Sequence, residues 1–183
     1  TDCPLVPILV RVQQLQKRLL DDETAFAASW NWIDAFLRLK HQKEPGVYRM
    51  LRQAMMARRA LLLLDGIDEG GRARDRIERH IAEVLAPQGH VLLCTSRPDG
   101  VKEERYVGFQ RLRLAPLTDA QQREAFEQRL GTKRTQAVLP YLARLPTDAE
   151  SGRRITSNPL MLSMVISIYE INEGHGEGGR EAH

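Results

Sequence analysis

The chain has 183 residues, enough for one ordinary domain, or one domain with a small attachment. Hydrophobic residues at 42% supply a core, and a net charge of +3, from 27 basic and 24 acidic residues, is too weak to mark a dedicated nucleic-acid partner. No segment reaches the roughly 18 apolar residues of a membrane span. Basic residues cluster at Arg49, Arg52, Arg58 and Arg59, and again at Arg72, Arg74, Arg76 and Arg79. Without interleaved aromatics these read as solvated helix faces. Cys3 and Cys94 carry no metal-ligand spacing; Cys94, inside an apolar run, reads as a small buried thiol, and a reducing compartment fits. No signal peptide is visible, and the first residue is Thr1 rather than Met, as in a fragment.

In chain order, Leu5–Val12 is apolar and β-branched, a first strand, with Pro7 placing it at an edge. Phe26, Trp30, Ile33 and Leu37 recur at helical offsets and predict one helix face, with Trp30 rather than Trp32 in the core. Glu44-Pro45-Gly46 interrupts the chain before a helix marked by Val47, Met50, Leu51, Ala54 and Met55. Four consecutive leucines, Leu61–Leu64, predict a strand covered on both faces. Ile77, Ile81, Val84 and Leu85 give a crossover helix, and His90–Thr95 a strand parallel to the leucine strand. Phe109–Leu114 alternates and predicts a further strand. From Leu117 onward the pattern is helical. Thr118 and Gln121 form a capping box for Asp119–Leu130, a short helix covers Val138–Leu145, and Pro159–Ile171, apolar almost all round, reads as buried. The division expected is an α/β part over 1–115, a small helical domain over 116–172 and a disordered glycine-rich tail over 173–183.

Three carboxylates follow the leucine strand at once. Asp65 ends it, where open α/β sheets bind ligands and where an acid commonly holds Mg²⁺ against phosphates. Gly66 permits the turn, and Asp68 and Glu69 return two more carboxylates, placed to orient or deprotonate an attacking water. Arg97 follows the next strand. It either reaches a γ-phosphate or pairs with Asp65 or Asp68 to hold the loop; Thr95 and Ser96 can hydrogen-bond the same region. Asn158-Pro159 reads as an ordinary helix start. The five histidines show no ligand pattern, and no hydrolase triad is spaced along the chain.

Four segments, LLLLDGIDE at 61–69, VLLCTSRPDG at 91–100, RLRLAPLTDAQQREAF at 111–126 and SNPLMLSMVISIY at 157–169, resemble in order a NACHT-type NTPase module of the STAND class of P-loop ATPases. The resemblance implies a three-layer parallel sheet followed by a small helical domain. It casts Asp65 as the Walker B magnesium ligand, Asp68 and Glu69 as the acidic pair tied to hydrolysis, Arg97 as the γ-phosphate sensor, and Pro159 as the residue packing near adenine. ATP/ADP and Mg²⁺ are the implied cofactors, self-association and other domains of the parent protein the implied partners, and the cytoplasm the implied location. The Walker A pattern GxxxxGK[ST] does not occur in the chain. Its strand would lie between those resembling Val91–Thr95 and Phe109–Leu114. ATPase activity is therefore expected only together with that segment. Three functions are in view: a nucleotide-dependent oligomerisation switch, an interaction scaffold with an incomplete nucleotide site, and a housekeeping ATPase coupled to mechanical or nucleic-acid work.

Overall fold

A computed structural model describes residues 4–142, 144–149 and 152–177. The chain divides into two compact units, Thr1–Gln110 and Arg111–His183, each described by itself.

The first unit is α/β. Its sheet has three parallel strands in the order β1 (Val6–Arg11), β2 (Ala60–Asp65), β3 (Val91–Cys94). Among the described residues β1 pairs on one side only, so Pro7 costs no second ladder. Register decides what each face carries. Ile8 lies beside Leu62 and Leu92, and Val10 beside Leu64 and Cys94. This face is closed by the helices α1 (Val12–Asp21), α2 (Glu23–Ala27), α3 (Trp32–Lys40) and α5 (Arg74–His80), whose Leu15, Leu19, Phe26, Ile33, Leu37 and Ile77 share its core. A π-helical turn, Ile81–Leu85, prolongs α5 and buries Ile81 and Leu85. α4 (Pro45–Met56) adds Met55 and delivers the chain to β2.

The opposite face carries the rows Pro7–Leu61–Val91 and Leu9–Leu63–Leu93. Leu9 and Leu93 are each 50% exposed. The four-leucine strand is therefore fully buried only at Leu62 and Leu64, and the expectation of two covered faces is corrected to one. A parallel strand without helices on one side leaves alternate residues open.

Other expectations change in the same unit. Leu5–Val12 stops as a strand at Arg11, and Val12 opens α1, a helix that the sequence reading passed over although Val12, Leu15 and Leu19 bury at helical spacing. The single helix over Phe26–Leu37 is two. Asp22 caps α2, accepting from the Ala25 N–H at 3.0 Å, and Asn31 caps α3, accepting from the Asp34 N–H at 2.8 Å. That break turns Trp30 outward and brings Trp32 onto the core, stacked on His80 with ring centroids 4.3 Å apart. The expected strand Phe109–Leu114 does not form. Alternation supplies the side chains, but a strand needs a ladder, and β3 pairs only with β2 among the described residues.

The second unit is helical: α6 (Asp119–Leu130), α7 (Thr132–Leu142) and α8 (Pro159–Glu177). The Thr118–Gln121 capping box is present in both directions. α7 begins six residues before the expected Val138, its start following the Gly131 turn. Phe126, Leu130, Val138, Leu142, Leu162 and Ile166 make the core. Thr156 is fully buried and donates to Gln122 Oε1 at 2.7 Å, which satisfies both. α8 was expected to be buried all round; Leu160, Met164, Ile168 and Ile171 are instead exposed, because a three-helix unit covers only the stripe through Leu162 and Ile166. α8 continues past the expected end at 171, through Glu177; residues 178–183 of the expected tail, like Cys3, lie outside the described residues. No helix of the described residues is long and apolar enough to cross a membrane.

Candidate functional site

The carboxyl ends of β2 and β3 come together because the two strands are parallel neighbours, with Leu64 beside Cys94. Beyond the ladder the chains stay joined: the Thr95 N–H donates to the Leu64 carbonyl at 2.9 Å, and the Ile67 N–H to the Thr95 carbonyl at 2.8 Å. Thr95 also ties the first acid. Its hydroxyl donates to Asp65 Oδ1 at 2.7 Å and accepts from the Gly66 N–H at 2.9 Å. Gly66 sits at φ +75°, a left-handed turn that an L side chain resists, and a Cβ there would stand 3.1 Å from the Glu69 carboxyl carbon. The turn leads into a 3₁₀ helix, Ile67–Ala73, whose Ile67 is buried while Asp68 and Glu69 stay at the surface side.

Asp68 is gripped by the turn after β3. Its Oδ1 accepts from the Ser96 hydroxyl and from the Arg97 N–H, both at 3.3 Å, and its Oδ2 lies 3.3 Å from Arg97 Nε. The Arg97 side chain is 82% exposed, so this ion pair adds little stability. Its geometry matters more than its energy. Gly100 closes the turn on Asp68: a Cβ at Gly100 would meet Ser96 Oγ at 2.4 Å, Asp68 Cβ at 2.6 Å and the Arg97 carbonyl at 2.9 Å. Only glycine permits that approach.

Of the predicted site residues, Asp65, Asp68, Glu69 and Arg97 are brought to one end of the sheet, with Thr95 and Ser96 between them. Arg97 Nε lies 3.3 Å from Asp68 Oδ2, the contact that one of its two predicted roles requires. Pro159 belongs to the second unit, where it opens α8 behind Asn158, whose Oδ1 accepts from the Leu160 N–H at 2.9 Å. Asp65 fits a cation held through waters and phosphates: it ends its strand, is exposed, and engages Thr95 through one oxygen. No group of three or more His, Cys, Asp or Glu among the described residues forms a protein-only cage. A phosphate-bound Mg²⁺ needs only one or two carboxylates.

The sequence reading missed Gly100 and a charged cluster behind the turn. There, Asp75 and Glu78 of α5 meet Lys102 and Arg105. Hydrogen bonds from Lys102 and then Arg105 hold the Asp75 carboxyl down at about 2. Acids three residues apart facing cations three residues apart were the available signal. Burial pushes the Cys94 thiol up to about 11, an unreactive state that matches the expected structural thiol, although Cys94 is only half-buried.

Comparison of the chain with models of known protein families, with curated proteins and with solved structures returned no match.

Proposed function

We propose that this chain carries the metal and γ-phosphate side of an ATP site in a NACHT-like, P-loop-type NTPase, acting as a nucleotide-dependent switch. The observation that carries the reading is the convergence of Asp65, Asp68 and Arg97 at the carboxyl ends of two adjacent parallel strands, joined by Thr95. In this reading Asp65 holds Mg²⁺, Asp68 and Glu69 orient the attacking water, and Arg97 answers the γ-phosphate by exchanging Asp68 for a phosphate oxygen. Two further features support a sheet completed by a phosphate-loop strand and its helix. β3 has no second partner among the described residues, and the Leu9–Leu63–Leu93 face is open. Such a sheet would have three layers.

The reading is tested by isothermal titration of ATP with Mg²⁺ into the 183-residue chain and into a chain extended upstream. The short chain should show no micromolar binding, and the extended one should bind. Micromolar binding by the short chain, or none by an extended chain that carries a phosphate-loop lysine, overturns the reading. A second reading is an interaction scaffold with an inactive site. It is favoured by the fact that both oxygens of Asp68 are already engaged by Ser96 and Arg97.

A further inference from the structure

The chain segments that meet at Asp68 meet a second time behind it. Glu78 on α5 has a side chain only 1% exposed, and a buried carboxylate survives only with partners. Its Oε1 accepts from Arg74 Nε at 2.8 Å and its Oε2 from the Lys102 N–H at 3.3 Å, with Arg105 Nη1 at 3.6 Å. One turn earlier, Asp75 Oδ1 accepts from Lys102 Nζ at 2.8 Å and from Arg105 Nη2 at 2.6 Å, and the Asp75 carbonyl accepts from Arg105 Nη1 at 2.9 Å. The guanidinium of Arg105 thus spans a side-chain and a main-chain acceptor, a task for a planar fork that an ammonium cannot repeat. Val101, Tyr106 and Phe109 pack on the same core, with the Tyr106 and Phe109 rings edge to face at 5.2 Å.

The Arg97 turn is therefore fastened at both ends. Thr95 continues the β2–β3 pairing on one side, and Lys102 and Arg105 are locked to α5 on the other. Between the two anchors stand Ser96 and Arg97, whose exposed side chains contact Asp68, and the buried Gly100, whose lack of a side chain leaves room for the Asp68 Cβ. We propose that Arg105 and Glu78 are positioning residues for Arg97, holding the far end of its turn so that the guanidinium moves between Asp68 and an anionic phosphate oxygen about two fixed ends. The proposal rests on the phosphate-site reading, but the placement of the turn is measurable without nucleotide.

Hydrogen–deuterium exchange of the chain alone, in wild type, Arg105→Ala, Arg105→Lys and Lys102→Ala, tests it. Arg105→Ala should speed exchange at the Arg97 and Gly100 amides about 10-fold while Leu62–Leu64 stay protected. The Nε–H resonance of Arg97, whose Nε lies 3.3 Å from Asp68 Oδ2 in wild type, should broaden, and Arg105→Lys should recover part of both signals. Unchanged exchange at Arg97 and Gly100 overturns the proposal, as does an equal rise there and at Leu62–Leu64, which would mean that the cluster only stabilises the fold. If Arg105→Ala does not fold, Lys102→Ala reads the same amides, and no change in that variant counts against the proposal. A turn that responds as stated in a protein whose extended chain never binds ATP would sink the nucleotide reading and leave the positioning of the turn intact.

Discussion

The two faces of the sheet are built from nearly the same residues and end in opposite states. Ile8, Val10, Leu62 and Leu64 are sealed under helices, whereas Leu9 and Leu93 stand half open on the reverse side of the same strands. Hydrophobicity along a strand therefore says that a face wants cover, and the neighbouring elements decide whether it has any. An apolar sheet face left open in a parallel sheet is a place where further structure belongs. Here it lies beside the β3 edge, and the turn that follows β3 bonds Asp65 through Thr95 and Asp68 through Ser96.

Truncating one leucine on each face separates the two states most strongly. Leu62→Ala should cost about 3 kcal/mol, since it removes a fully buried side chain from a packed core. Leu93→Ser should shift stability by no more than about 0.5 kcal/mol. Both are read as urea midpoints. Equal costs would mean that the open face is covered in solution.

The covered face has a second, slightly smaller signature. His80 Nε2 accepts the Trp32 N–H at 3.0 Å, joining α5 to the start of α3, and burial lowers the His80 pKa from 6.5 to about 4. The unfolded chain takes up that proton first, so stability should fall as pH drops from 6.5 towards 4 and the effect should level off below. The loss is at most about 3 kcal/mol. Urea midpoints at pH 7 and pH 4 should differ less in His80→Gln than in wild type; an identical difference would show that His80 does not carry the effect.

Much of the site was legible in the chain, because its signals are local. A four-leucine run ending in Asp65, a glycine at once after it, and a strand ending in Thr95-Ser96-Arg97 need no knowledge of distant contacts. Thr118, Gln121 and Asn158 announced helix starts for the same reason. What stayed hidden depends on partners. Asn31 broke a helix that periodicity had joined, because its cap competes with the helical pattern of Phe26 and Ile33. The alternating Phe109–Leu114 failed as a strand for want of a ladder, and α8 was exposed for want of neighbours. Gly100 looked like any turn glycine until Asp68 stood against it.

In the proposed function Asp65 and Asp68 serve one nucleotide site. ATP turnover by a chain carrying a phosphate loop, in wild type and in the Asp65→Ala, Asp68→Ala double variant, tests it most directly. Turnover should fall about 100-fold or more in the double variant, because the proposed cation ligand and the proposed water-orienting acid are both removed. Full turnover in that variant would contradict the account.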